Sequence, residues 1–133
     1  MAGQSLVCLD VGEKRIGVAV ADRSIRIAVA FTTIEVDGNE LQAIAEIVIR
    51  ERADTIVVGY PRNQQGETTA QTAYVEQFAK GLEDIATNIV FQDESLTSVI
   101  AEQRLNAMKK PYAKGDIDAQ AAAIILEDYM EMH

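Results

Sequence analysis

The sequence predicts an α/β fold built on a mixed five-stranded sheet that is flanked by helices. The first third of the chain reads as three consecutive strands joined by turns too short to hold a helix, so neighbouring strands must be antiparallel. The remainder alternates strand and helix patterns, which is typical of parallel strands joined by right-handed crossovers. Three antiparallel strands therefore lead into parallel βα units.

The antiparallel part follows from short apolar and alternating segments. Leu6-Val7-Cys8-Leu9 is an apolar run that predicts a buried first strand, and apolar residues alternating with glycine or alanine predict the second. A further run at Ile27–Phe31 predicts the third. These strands are expected over about 4–11, 15–22 and 26–36.

The parallel part follows from a switch between helical and strand periodicity. Val75, Phe78, Ala79 and Leu82 recur at helical spacing, whereas Thr55–Val58 is a short apolar strand. The helices are expected over about 40–52, 69–82, 96–108 and 116–131, and the strands over about 55–58 and 88–92. The predicted order is βββαβαβαα.

Composition limits the classes of function. The 133 residues are 48% hydrophobic, which suits one globular domain spanning 1–133. A formal charge of -9 argues against a protein that coats nucleic acid or membrane by bulk electrostatics. His133 is the only histidine and the last residue, which argues against serine-histidine catalysis and against zinc sites that need several histidines. The single cysteine and the lack of a leader or membrane span predict a cytoplasmic protein.

Three acidic residues stand where regular elements meet loops. Asp10 closes the first apolar strand, Glu94 follows the last predicted strand, and Asp118 lies near the start of the last helix. Carboxylates at the carboxyl ends of strands lie where α/β folds bind ligands. Like charges gathered there need a cation, and Mg²⁺ or Mn²⁺ suits oxygen ligands. The competing interpretation is that, among 21 acidic residues, some stand at the ends of helices and strands by chance.

Basic and polar segments near these acids have two interpretations each. Lys14 and Arg15 in the first turn either face a phosphate or are solvated charges at a hairpin tip. The polar segment 58–68 is either a functional loop or a connector. The basic stretch 109–114 either contacts phosphate, with Tyr112 for stacking, or is a solvated loop. Ser95 and Thr97 are equally well explained as helix caps.

Four segments in order resemble the YqgF family, which is also called RuvX-like or Holliday junction resolvase-like and has an RNase H-like fold. They are the hairpin Asp10–Asp22, the strand and loop Val57–Gly66, the segment Asp93–Thr97 and the helix segment Lys114–Tyr129. The resemblance runs nearly from end to end. It places the acidic triad of that family on Asp10, Glu94 and Asp118.

The resemblance implies a metal-dependent nuclease. The family is proposed to mature the 5′ end of pre-16S rRNA, and its relatives include resolvases of four-way DNA junctions. By that scheme two metal ions act in phosphodiester hydrolysis, Asp10 bridges them, and Glu94 and Asp118 hold one each. Substrate contacts fall on six residues: Lys14, Arg15, Arg62, Asn63, Thr97 and Lys114.

One position departs from the family pattern. The family usually has arginine after the glutamate, whereas this chain has Ser95, which lacks the charge that grips phosphate. Arg62, where the family more often has an apolar residue, is a hypothetical replacement for that charge.

The sequence leaves the substrate and the assembly open. RNA and branched DNA present the same phosphodiester, and a resolvase acting symmetrically needs a homodimer where an RNA-trimming enzyme works as a monomer. A non-catalytic RNA-associated or ribosome-associated factor is the main alternative to a nuclease. A phosphotransferase of the actin and sugar-kinase superfamily is disfavoured, because such enzymes need two similar domains.

Overall fold

The computed structural model describes residues 5–62, 65–94 and 97–133, and the side chains of 97 and 98 lie outside the description. The strands are β1 (Ser5–Val11), β2 (Arg15–Asp22), β3 (Ala28–Glu35), β4 (Ala53–Pro61) and β5 (Asn88–Glu94). The helices are α1 (Glu40–Glu51), α2 (Ala70–Lys80), α3 (Thr97–Ala107) and α4 (Lys114–Met132). The order βββαβαβαα is confirmed.

The five strands form one mixed sheet in the order β3-β2-β1-β4-β5. β1 pairs antiparallel with β2, and β2 pairs antiparallel with β3. β4 adds parallel to β1, and β5 adds parallel to β4. The carboxyl ends of β1, β4 and β5 therefore lie at the same edge of the sheet, which confirms the predicted α/β architecture.

The bounds of β3, β4 and β5 differ from the predicted ones: β5 continues past Gln92 to Glu94, and two of the other differences have identifiable reasons. β4 continues beyond Val58 through Gly59 and Pro61, two residues that usually weaken a strand. Pairing with β1 ends at Val58, so Pro61 needs to pair with β5 on one side only. β3 begins two residues later than expected, because Arg26 has a φ of 61° and prolongs the turn after β2.

Helices cover the two faces of the sheet. α1 and α2 enclose one core cluster, which includes Val7, Leu9, Ile44 and Val75. α4 lies on the other face and buries its residues Ala122, Ile125 and Leu126 against β1, β2 and β4. The strand residues of this second cluster are Leu6, Cys8, Ala19, Ala21 and Val57. α3 packs on α4 through Ala101, which contacts the outer side of that helix. Over the described ranges, no helix combines the length and hydropathy that crossing a membrane requires.

Candidate metal centre

Two carboxylates from separate strands lie on one face of the sheet at its carboxyl edge. Asp10 is next to the end of β1, and Glu94 is the last residue of β5. Side chains alternate along a strand, so Asp10 shares a face with Cys8, and Glu94 shares a face with Val90. Cys8 and Val90 pack in the cluster beneath α4. Asp10 and Glu94 therefore both lie on the α4 side of the sheet.

A glycine in β4 provides the space in which these two side chains meet. β4 lies between β1 and β5, and Gly59 follows the last pair of the β1–β4 ladder, level with Asp10. A Cβ atom at position 59 would lie 2.5 Å from Glu94 Oε2. Because glycine has no Cβ, the Glu94 carboxyl group extends over β4 and forms a hydrogen bond with Asp10.

The Asp10–Glu94 pair is costly to ionise. Burial is the main cause that raises the pKa of Asp10 to about 6, and the charge of Asp118 raises it further, against a hydrogen bond from Glu94 that lowers it. Burial, followed by the charge and hydrogen bond of Asp10, raises the pKa of Glu94 to about 8. A hydrogen bond between two carboxyl groups needs a proton, so the metal-free pair retains one near neutral pH.

One oxygen of this pair has no partner in the part of the chain that the structure describes. Glu94 Oε2 is buried and accepts no hydrogen bond. An unpaired buried oxygen costs about 1–3 kcal/mol, and more when it is charged. A hard divalent cation would supply the missing partner and would offset the repulsion between the two carboxylates. The pair therefore fits a Mg²⁺ or Mn²⁺ ion by its donor type and by its unmet electrostatic need.

Asp118 approaches the pair from α4 because of a second glycine. Gly17 in β2 pairs with Asp10 across the β1–β2 ladder. A Cβ atom at position 17 would overlap the backbone carbonyl of Asp118 and crowd the amide nitrogen of Ala119. Glycine thus allows the backbone of α4 to lie directly against the sheet beside Asp10. Asp118 sits one turn inside α4, slightly deeper in the helix than the sequence predicts.

Asp118 already has a cationic partner. Arg15 Nε donates a hydrogen bond to Asp118 Oδ2 at 2.6 Å, and both side chains are partly exposed. That hydrogen bond and the charge of Asp118 raise the pKa of Arg15. Within residues 5–62, 65–94 and the described part of 97–133, no three Asp, Glu, Cys or His side chains are grouped so that they could hold one ion. Asp10 and Glu94 are together, whereas Arg15 engages the third predicted ligand, so the three-carboxylate site stays a prediction.

The other predicted basic residues lie on elements that carry the carboxylates or adjoin them. Lys14 is exposed in the turn after β1, and Lys114 is exposed as the first residue of α4. Arg62 follows β4, forms an ion pair with Asp93 at 3.3 Å and stacks over the Tyr60 ring at 5.0 Å from its centroid. Lys14 and Lys114 therefore adjoin the carboxylate edge, whereas Arg62 contacts Asp93 and Tyr60, whose side chains point to the opposite face of the sheet from Asp10 and Glu94.

Three positions of the sequence hypothesis fall outside the described residues. Asn63 and Ser95 are not described, and Thr97 begins α3 with a side chain that is not described. Their proposed contacts with substrate, and the consequence of serine in place of arginine after Glu94, stay predictions.

Gly17 and Gly59 are functional positions that the sequence reasoning missed. Both are isolated glycines inside predicted or adjoining strands, where glycine weakens a strand unless another group approaches the backbone closely. In this chain the approaching groups are the backbone of Asp118 and the carboxyl group of Glu94. An isolated strand glycine near a candidate acid was therefore the available signal.

Comparison with solved structures defines the fold class. The chain aligns with RuvC of Thermus thermophilus in complex with a Holliday junction substrate, with a TM-score of 0.59, 14% identity, and coverage of 96% of this chain and 94% of that one. A fowlpox virus resolvase in complex with Holliday junction DNA gives a TM-score of 0.56 at 14% identity, covering 96% and 97% of the two chains. At this identity the similarity establishes an RNase H-like fold of the resolvase type.

Comparison of sequences defines the family. Residues 4–132 match the RuvX family, described as Holliday junction resolvase. A protein of Chloroflexus aurantiacus named "Putative pre-16S rRNA nuclease" is 43% identical, over 98% of this chain and 89% of that protein. A Synechocystis protein of the same name is 39% identical, over 93% and 85%. The chain belongs to the RuvX family, which confirms the resemblance to YqgF proteins.

Proposed function

We propose that this chain is a divalent-metal-dependent endonuclease of one domain, residues 1–133, that cleaves phosphodiester bonds of structured nucleic acid in the cytoplasm. Its proposed substrate is pre-16S rRNA, at the 5′ end of the mature sequence. The observation that carries the proposal is the Asp10–Glu94 carboxyl pair, in which the buried Oε2 atom of Glu94 has no hydrogen-bond partner among the described residues. Relatives that are 36–43% identical over nearly the whole chain carry the name of a pre-16S rRNA nuclease, which supports the RNA substrate.

The carboxylates of this site would hold Mg²⁺ or Mn²⁺. Asp10 and Glu94 provide the buried oxygens, and Asp118 is the third ligand once it separates from Arg15. When bound, the metal would activate a water molecule and stabilise the leaving oxygen at phosphorus. The chain itself fixes the ligands on three rigid elements, because β1, β5 and α4 each carry one acid.

The basic side chains around the edge would orient the nucleic acid strand. Lys14, Arg15, Arg62 and Lys114 contact phosphate in this proposal, and Asn63 and Thr97 complete the set predicted from the family. Arg62 would supply the charge that the family usually places after Glu94 only after leaving Asp93 and Tyr60, which lie on the opposite face of the sheet from Glu94. With a net charge of -9, substrate affinity would depend on these few cations and would fall steeply with salt.

A resolvase acting on branched DNA is the second candidate. The solved structures with this fold include two resolvases in complex with Holliday junctions, which favours it. Those proteins share only 14% identity with this chain, whereas the relatives named for pre-16S rRNA share far more. A non-catalytic RNA-binding factor is the third candidate, since Arg15 holds one of the three acids in an ion pair.

Cleavage of an end-labelled panel tests the proposal. The panel contains a pre-16S leader RNA, a generic single-stranded RNA and a four-way DNA junction, each with Mg²⁺, with Mn²⁺ or with chelator. We expect the wild type to cut the leader RNA only with metal, and Asp10→Asn to cut nothing. Asp128→Asn is the matched control, because Asp128 is an exposed acid near the far end of α4.

The outcomes separate the three candidates. Preferential cutting of the junction would replace the RNA proposal with the resolvase. Equal cutting by wild type and Asp10→Asn would remove Asp10 from catalysis. Binding of the leader RNA without any cutting would favour the binding factor.

A further inference from the structure

The contact between Arg15 and Asp118 separates the third acid from the other two. The Nε–Oδ2 distance of 2.6 Å is that of a strong, charge-assisted hydrogen bond. The backbone of Asp118 nevertheless lies against Gly17, which pairs with Asp10 in the β1–β2 ladder. Asp118 is thus near enough to influence the pair, while its own carboxylate is paired with a guanidinium.

The backbone around Asp118 is fixed, so a change of partner must come from its side chain. α4 lies directly against Gly17, and six consecutive residues from Ala121 to Leu126 are buried one turn further on. The side chains of Arg15 and Asp118, by contrast, are 32% and 25% exposed. Rotation of two partly exposed side chains would release the carboxylate without moving the helix.

We propose that Arg15 couples nucleic acid binding to metal binding by exchanging Asp118 for a phosphate of the strand. This inference rests on the proposed nuclease function. In the protein without nucleic acid, Arg15 is paired with the Asp118 carboxylate, which is the third predicted metal ligand. When a phosphate binds Arg15, Asp118 is released toward Asp10 and Glu94.

The chemistry of the guanidinium supports the exchange. Arginine offers five N–H donors in a planar fork that matches phosphate as well as carboxylate, and phosphate brings its own negative charge. Arg15 is partly exposed, so a phosphate can approach the guanidinium from solvent and compete with Asp118 for its donors. Thermodynamic reciprocity then requires that metal binding increases affinity for nucleic acid by the factor by which nucleic acid increases affinity for metal.

Titration calorimetry of Mn²⁺ without nucleic acid is the first test. Arg15→Ala is expected to bind Mn²⁺ about tenfold more tightly than the wild type, since Asp118 becomes free to ligate. Lys14→Ala removes the same charge from the neighbouring residue and is expected to show a clearly smaller gain. Arg104→Ala removes an arginine that pairs with Glu127 of α4 at 2.8 Å and is expected to show none.

The double variant Arg15→Ala with Asp118→Asn identifies the source of the gain. If the gain comes from the released carboxylate, it disappears in the double variant. A gain no larger than that of Lys14→Ala, or one that survives Asp118→Asn, would show a general charge effect and overturn the exchange. Thermal unfolding of each variant verifies that it is folded before titration.

A second titration tests the coupling itself. Phosphorothioate RNA, which resists hydrolysis, is expected to raise the Mn²⁺ affinity of the wild type but not of Arg15→Ala, and a neutral methylphosphonate strand is expected to raise neither. Equal enhancement in wild type and Arg15→Ala would overturn the coupling alone. A wild type that binds no Mn²⁺ under any condition would overturn the proposed function as well, so the two failures are distinguishable.

Discussion

The Asp10–Glu94 pair and Asp118 lie at the same edge of the sheet, but their negative charges are compensated in different ways. Asp10 and Glu94 are half-buried residues whose carboxyl groups form a hydrogen bond with each other, and the buried atom Glu94 Oε2 has no hydrogen-bond partner among the described residues. Asp118 has a cation, Arg15, at 2.6 Å, and both side chains of this ion pair are partly exposed. The Asp10–Glu94 pair needs a cation from solution, whereas Asp118 has one from its own chain.

This difference shows which of the two is under strain. Burying like charges without a counterion is unfavourable, so the Asp10–Glu94 pair is tolerated only while it is protonated or when a cation binds. A partly exposed ion pair such as Arg15–Asp118 contributes little net stability despite its short hydrogen bond, because water and other ions can solvate both partners when they separate. The unfavourable electrostatics of the Asp10–Glu94 pair therefore favour metal binding, and Asp118 is the ligand whose side chain changes partner.

The largest predicted effect comes from displacing the backbone that carries Asp118. Gly17→Ala places a methyl group against the carbonyl of Asp118, where backbone must move to relieve the overlap. We expect a loss of about 3 kcal/mol in the free energy of unfolding, measured in urea, together with loss of metal-dependent cleavage. Gly115→Ala, where a Cβ atom would lie 3.5 Å from Thr33 in ordinary contact, is the control that leaves unfolding nearly unchanged.

The next effect concerns the Asp10–Glu94 pair and the pH dependence of the stability that follows from it. The pKa of Glu94 rises from 4.5 to about 8 on folding, so the folded metal-free protein holds a proton that the unfolded chain releases. Its stabilising contribution is complete below the unfolded pKa and is lost as pH rises through about 8. Glu94→Gln should therefore be more stable than the wild type at pH of about 8 and close to it at pH of about 4.

Urea unfolding at a series of pH values measures this difference. If the wild type and Glu94→Gln lose stability in parallel as pH rises, Glu94 is not the strained group. Saturating Mg²⁺ should restore the wild type at high pH and leave Glu94→Gln nearly unaffected, because a ligand that binds only the folded state stabilises it.

The smallest predicted effect concerns a second ion pair of α4, between Arg104 and Glu127, which serves as a reference for Arg15–Asp118. Arg104 donates two hydrogen bonds to Glu127, at 2.9 and 2.8 Å, with exposure similar to that of the Arg15–Asp118 pair. Arg104→Ala should lower the free energy of unfolding by less than about 1 kcal/mol and leave cleavage unchanged. A loss of cleavage in this variant would mean that ion pairs on α4 act through the helix as a whole, and not through Asp118.

The sequence predicted the fold well because periodicity reports which face of each element is buried. The antiparallel strands, the βα alternation and the order of nine elements all follow from apolar spacing and short turns. The extension of β4 through Gly59 and Pro61 was missed, because it depends on pairing with β5 rather than on local propensity.

The candidate site was predictable as a set of residues but not as a geometry. Residue type, together with position at strand ends for Asp10 and Glu94 and near a helix start for Asp118, nominated these three acids, and their joint site stays a prediction. Nothing in the local sequence indicated that Arg15 would pair with an acid 103 residues away. The two glycines that admit Glu94 and Asp118 act through space, and their purpose becomes visible only when the sheet and α4 are packed together.

The most direct test of this account is the number of protons that Mn²⁺ displaces. Calorimetric titration at pH of about 7, in two buffers with different ionisation enthalpies, gives that number for the wild type and for Glu94→Gln. The account predicts release of about one proton from the wild type, because the pKa of Glu94 is near 8 without metal, and of almost none from Glu94→Gln. Mn²⁺ binding without proton release from the wild type, or equal release from both proteins, would contradict it.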